Sequence, residues 1–178
     1  MDNGINKKNW KEIDLNVDSL WLINERDKTG KHSNVYHGNF VPQIPYQLLK
    51  RYTQENDLVL ELFSGSGTTL FECEKLKRDY IGFDINDDII NYVIDKMTET
   101  DINFYINNCD VSDTIKFNVC VKNDLQLMNR KNVDFIIAHP PYLDIVKFTD
   151  KDEDFSKITD AKTFTKKMVS TFNNALKY

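Results

Sequence analysis

"LVLELFSGSGTT", Leu58 to Thr69, decides the fold. Six residues rich in branched apolar side chains run directly into a turn holding two of the chain's six glycines. A continuous apolar run, not an alternating one, is what a strand covered on both faces requires. The glycines permit a tight turn and close approach of a ligand to the backbone, and a helix is expected from Thr68 to about Lys77. A dinucleotide fingerprint would place a third glycine where Leu70 stands, and a phosphate-binding loop would end in Gly-Lys-Ser/Thr. Neither is present. Without a lysine to grip a polyphosphate, the loop suits a ligand with an amino-acid end and a nucleoside end.

The flanking sequence repeats the alternation. Upstream, Ile44-Pro45 followed by "YQLLKRYT" predicts a helix that ends near Thr53, because proline is tolerated at the first helical position. Downstream, "DYIGFD" (Asp79 to Asp84) reads as a second buried strand. The helix after it, with Asn86 or Asp87 as its cap, places Ile89, Ile90, Val93, Ile94 and Met97 on one face. Both "INFYI" and "FNVCV" between Thr98 and Asp124 look like strands, so an insertion with one extra strand is expected there. "VDFIIA" (Val133 to Ala138) is the next buried strand. Thr159 to Lys177 is expected as an amphipathic helix with Phe164, Met168, Phe172 and Leu176 inward. Strand and helix in alternation, with fully apolar strands, predict an α/β fold: a doubly wound, mostly parallel sheet.

The chain's 178 residues suffice for one domain, divided here into an N-terminal arm over residues 1–43 and a ligand-binding domain over 44–178. The arm is polar, carries Trp10 and Trp21, and is expected to cover part of that domain. No run of about 18 apolar residues and no charged-then-apolar leader is present, so a cytoplasmic protein without a membrane span is expected. The three cysteines, Cys73, Cys109 and Cys120, lack C-x-x-C spacing, and neither a metal site nor a disulfide framework is expected. A net charge of −5 argues against a uniformly basic nucleic-acid-binding surface, although not against a local cleft. The small basic groups at Lys7-Lys8, Lys75 to Arg78, Arg130-Lys131 and Lys166-Lys167 read as solvated faces.

In parallel sheets ligands sit beyond the carboxyl ends of the strands, where the strand order reverses. Asp84 closes the second strand 19 residues beyond Gly65, the spacing at which a carboxylate reaches ribose hydroxyls. The strand at Val133 runs into "HPPY", His139 to Tyr142, which contains two of the chain's four prolines. Each proline fixes its own φ and biases its predecessor to extended geometry, so the turn is rigid and its carbonyls are preset acceptors. Tyr142 adds a flat amphipathic ring beside them. A polar side chain, two fixed carbonyls and an aromatic plate suit a planar heterocycle with an amino group.

These residues resemble the S-adenosylmethionine-dependent DNA amino-methyltransferases, which modify the 6-amino group of adenine or the 4-amino group of cytosine. "ELFSGSGTT" resembles the family's Phe-x-Gly-x-Gly-Thr cofactor loop, "AHPPY" its [Asp/Asn/Ser]-Pro-Pro-Tyr catalytic loop, and "NVYHGNFVPQIPYQLLKRYT" its N-terminal cofactor-side segment. The likeness runs from about Asn34 to Phe148. It implies a Rossmann-like fold with S-adenosylmethionine lined by Phe40, Phe63, Gly65, Gly67 and Thr68, and with Glu61 near its methionine end. Asp84 would hold the ribose and Ile85 would flank the adenine. Asp124, in "KNDLQL", would bind the adenine amino group, with Asp110 in "NNCDVSD" as the rival. His139, Pro140, Pro141 and Tyr142 would form the catalytic site for a base flipped out of DNA.

The chain departs from the family pattern twice. His139 replaces the usual Asp, Asn or Ser; an imidazolium cannot accept a hydrogen bond, so activity is expected to fall on acidification through about pH 6.5. The helix that ends the chain comes before the last strands and the target-recognition region of such enzymes. The chain is therefore expected to be a fragment of a longer enzyme, one half of a split enzyme completed by a second chain, or a remnant that binds cofactor without transferring methyl groups. The other readings are a methyltransferase acting on transfer RNA and a non-catalytic cofactor-binding half.

Overall fold

Alternate residues of the central strands face two separate cores. The computed structural model describes residues 14–33, 36 and 38–178; Trp10, the Lys7-Lys8 pair and Asn34 lie outside them. Four strands pair in parallel: β1 (Leu58–Glu61), β2 (Asp79–Asp84), β3 (Phe104–Asn108) and β4 (Phe135–Ile137), in the order β3-β2-β1-β4. The register sets Leu60 beside Ile81 on one side and Ile136 on the other. Five helices cover the sheet: α1 (Gln43–Tyr52), α2 (Thr68–Leu76), α3 (Asp87–Lys96), α4 (Thr114–Leu127) and α5 (Ala161–Ala175).

Val59 and Tyr80 pack with Leu49, Leu70, Phe71 and Val93 under α1, α2 and α3. Leu58, Leu60, Ile81 and Phe83 pack with Phe117, Val121, Leu125 and Met168 under α4 and α5. The sheet is thus doubly wound, and each buried Leu or Ile contributes roughly 1.5–3 kcal/mol. Asparagine and aspartate side chains start three of the helices: Asn86 accepts from Asp88 N and Ile89 N, Asp113 from Ile115 N and Lys116 N, and Asp160 from Thr163 N.

The expected extra strand is absent. "INFYI" contributes β3, but "FNVCV" lies inside α4, where Phe117, Val121 and Leu125 recur every four residues against the sheet. The simple alternation therefore continues without an insertion. Helix α5 is rotated from the expected face: Met168, Thr171, Asn174 and Ala175 are buried, while Phe172 is 41% and Leu176 74% exposed. Polar bonds set the rotation, since Asn174 Nδ2 donates to Val111 O at 3.1 Å and Ser170 Oγ to Ser112 O at 3.4 Å. Ile94 of α3, expected inward, is also exposed.

The described residues of the arm lie along the α1–α2–α3 side. Asn16 N donates to Gln47 Oε1, Lys31 pairs with Glu74, His32 Nε2 meets Glu72 Oε1 at 2.7 Å, and Ser33 bonds Tyr92. Arg26 donates to the carbonyls of Asn39 and Phe40, fixing the approach to α1.

Candidate functional site

The order β3-β2-β1-β4 reverses direction at β1, so the loops after β1 and β4 diverge at the switch point. A cleft opens there. Its walls include Phe63, Gly65 and Thr68 from the glycine loop, Asp84 and Ile85 from the end of β2, and the whole run His139 to Tyr142. Phe40 closes another side. Two segments distant in sequence, both singled out by composition, thus form one cavity.

The glycine loop is held by its surroundings before any ligand arrives. Gly65 sits at φ +48°, and its N–H donates to Asp84 Oδ2 at 2.8 Å; the other oxygen of Asp84 accepts from Asn86 N at 2.9 Å. Burial pushes the Asp84 carboxyl above its ordinary range, against the pull of these backbone donors. Each oxygen retains acceptor capacity toward the cleft. Gly67 does not line the cleft. At φ +81° it precedes α2, where a Cβ would stand 2.9 Å from Val93 Cγ1.

Glu61 is also absent from the wall. Its carboxyl is buried behind the loop, with Thr69 Oγ1 and Tyr80 Oη each at 2.5 Å, and burial raises it to about 8. Tyr80 Oη in turn meets Ser64 Oγ at 2.8 Å. A Cβ on Gly82 would collide with both hydroxyls, so this network requires glycine at that place in β2. Glu61 therefore supports the loop from beneath it.

Asp124 lies off the cleft. It is buried on α4 and accepts from Asn107 Nδ2 at 2.6 Å. Asp110, two residues past β3, lines the cleft instead, beside Cys109 and Val111. Helix formation through "FNVCV" is what turns Asp124 away from the ligand side. Asp110 Oδ1 accepts from Ser112 N and Ser112 Oγ, at 2.9 and 2.7 Å.

At the far wall His139 stacks on Phe40, with ring centroids 4.5 Å apart and 19° between planes. Its Nε2 meets Tyr142 Oη at 2.7 Å. Burial lowers its pKa, so the imidazole stays neutral to a more acidic pH than a free histidine. The expected acid fall in activity therefore moves below pH 6.5. Tyr142 remains 60% exposed at the cleft mouth.

Several wall residues escaped the sequence reading. Tyr36 and Phe148 stack at 5.2 Å over the cleft, and Asn39 Nδ2 bonds Ser66 Oγ, joining the arm to the glycine loop. The segment after β4 is knotted around buried Asp154, which accepts from the N–H and hydroxyl of both Thr149 and Ser156. Lys151 then ties it to Ile85 O and Asp87. The one available signal was the Asp-x-Ser pattern at Asp154, which favours a side-chain-capped turn. Among the described residues no group of three His, Cys, Asp or Glu side chains converges as a metal site would.

Residues 2–95, more than half of the chain, match the family model described as DNA methylase (N6_N4_Mtase). The chain belongs to the DNA methylase family. Over 87 residues it is 36% identical to the Type II methyltransferase M.MjaII of Methanocaldococcus jannaschii, covering 45% of this chain and 16% of that protein. Over 94 residues it is 33% identical to the Type II methyltransferase M.HindIII of Haemophilus influenzae, covering 46% of this chain and 30% of that one. The chain thus spans less than a third of the length of these two relatives. Among solved structures, a TehB-like SAM-dependent methyltransferase from Corynebacterium glutamicum matches 53% of this chain and 43% of its own, with TM-score 0.38 and 16% identity.

The family's cofactor is S-adenosylmethionine. The residues present fit it: a carboxylate with spare acceptor capacity at the end of β2, a second beyond β3, apolar walls at Phe63, Ile85 and Val111, and a glycine turn open to the cleft.

Proposed function

We propose that this chain carries the cofactor site and the target-base loop of a DNA amino-methyltransferase, which methylates the exocyclic amine of adenine or cytosine. The observation that supports this most is the single cleft shared by the glycine loop and the His139–Tyr142 turn. Bound cofactor supplies a sulfonium methyl group as the electrophile. Asp84 takes the ribose hydroxyls, Ile85 and Val111 enclose the adenine, and Asp110 rather than Asp124 accepts from its amino group. Residues 44–178 form the catalytic unit, and the arm before them completes its wall.

An exocyclic amine is a poor nucleophile because its lone pair is delocalised into the ring. Acceptors that take its hydrogens restore nucleophilic geometry at nitrogen; the Pro140 carbonyl and neutral His139 fill that role. Arrival of the base exchanges the His139–Tyr142 bond for one to the amine, which frees the Tyr142 ring to stack on the base. Catalysis rests on positioning and preorganised polarity, with no strong base. The target reaches this depth only when flipped from the duplex. The edge strand β4 leaves the sheet open to further strands, from the same protein or from a second chain, which would supply contacts to DNA phosphates.

The test is transfer of labelled methyl from S-adenosylmethionine to duplex DNA and to transfer RNA, beside calorimetric cofactor binding. Binding that Asp84→Ala weakens at least tenfold, with label recovered in a DNA base amine, is the expected result. Absence of binding would refute the cofactor site, and label in transfer RNA alone would move the function to RNA.

A further inference from the structure

The basic pair Lys166-Lys167 reads in sequence as a solvated face, but Lys167 is turned inward from α5. Its Nζ stands 3.0 Å from Asp110 Oδ2, and the two side chains are only 20% and 17% exposed. The ammonium also donates to the Glu153 carbonyl and lies over the Phe155 ring, 4.3 Å from its centroid. All three of its protons thus have acceptors, two oxygens and one aromatic face. A flexible four-carbon side chain is ordered in one place, which an incidental surface pair does not require.

Asp110 is equally constrained. One oxygen accepts twice from Ser112 and the other takes Lys167, so the remaining acceptor capacity lies on Oδ2. Asp110 lines the cleft, whereas Lys167 does not. We propose that Lys167 is a positioning residue for cofactor recognition: it aims the free lone pair of Asp110 at the 6-amino group of the cofactor's adenine. This rests on the cofactor site proposed above. It also gives the Asn174–Val111 and Ser170–Ser112 bonds a role, since they hold α5 at the rotation that brings Lys167 to the end of β3.

The test is binding, and needs neither DNA nor a partner chain. Dissociation constants are measured by calorimetry for S-adenosylhomocysteine and for its analogue lacking the 6-amino group, on the wild-type chain, Lys167→Met and Lys167→Arg. Wild type should prefer the amine-bearing ligand by roughly tenfold or more, the scale of a hydrogen bond to a charged group. Lys167→Met should lose most of that preference while binding the analogue within about threefold of wild type, and Lys167→Arg should restore part of it. Equal weakening of both ligands would reduce Lys167 to a structural tie and overturn the proposal, as would an unchanged preference. A wild-type chain indifferent to the amine overturns it while leaving the cofactor site intact. A wild-type chain that binds neither ligand refutes the cofactor site itself. Should Lys167→Met fail to fold, Lys167→Gln is judged by the same ratio.

Discussion

Replacing Glu61 with Gln should change how stability depends on pH. The carboxyl is buried between Thr69 and Tyr80, and burial raises its pKa from 4.5 to about 8. An unfolded chain releases this proton near the ordinary carboxylate value, whereas the native chain keeps it to about pH 8. Between those limits the native state binds one proton more, so stability falls as pH rises, and the contribution is present in full only below the unfolded value. The slope is at most about 1.4 kcal/mol per pH unit, and sums to roughly 3 to 4 kcal/mol from pH 5 to pH 8. Glutamine has the same shape, can donate and accept toward the two hydroxyls, and does not titrate. Urea unfolding of both proteins at pH 5, 6, 7 and 8 isolates the effect, because the other titrating groups cancel in the difference. Wild type should lose ground to Glu61→Gln by roughly 1 kcal/mol at each step, least in the last, where the native carboxyl itself begins to titrate. Two parallel stability curves would refute the protonated buried carboxyl.

Other sites give sharper contrasts. Asp124→Asn should lower stability by about 1 kcal/mol through the Asn107 bond and leave the cofactor dissociation constant within about twofold; a tenfold loss in calorimetry would return Asp124 to the cleft. Single-turnover methyl transfer should decline only below pH 6.5 in wild type, because burial lowers the pKa of His139, and His139→Asn should abolish that decline. Retention of the same acid limb in the variant would exclude the imidazole as its source. Gly82→Ala should lower stability by about 3 kcal/mol or prevent folding, because the added methyl meets Ser64 and Tyr80; a native-like thermal midpoint would contradict the packing described.

The sheet and the two loops were legible because their signals are local. A continuous apolar strand, a glycine pair, an acid at the end of β2 and a double proline each state their own geometry. "FNVCV" misled because five residues of high strand propensity cannot reveal the four-residue recurrence of Phe117, Val121 and Leu125 over a longer window. That error carried Asp124 with it. The rotation of α5 was hidden for another reason: Phe172 and Leu176 supplied an apolar stripe, but Lys167, Ser170 and Asn174 are tied to the segment after β3. Tyr36, Phe148 and Asp154 meet only through long-range packing around the cleft, and no spacing within the chain announces that.

The strapping of residues 26–33, 39 and 40 against α2 and the glycine loop makes cofactor affinity a property shared between distant parts of the chain. His32 on Glu72 and Asn39 on Ser66 fasten the strap to the helix and turn that shape the floor, while Phe40 and Tyr36 form wall above it. By thermodynamic reciprocity, whatever free energy the docked strap adds to cofactor binding, bound cofactor must return as resistance of the strap to detachment. Protease cleavage within residues 26–33 should therefore slow as cofactor is titrated in, following the same saturation curve as binding. The N-terminal segment becomes a reporter of occupancy for a cleft whose His139–Tyr142 wall lies about a hundred residues away in sequence.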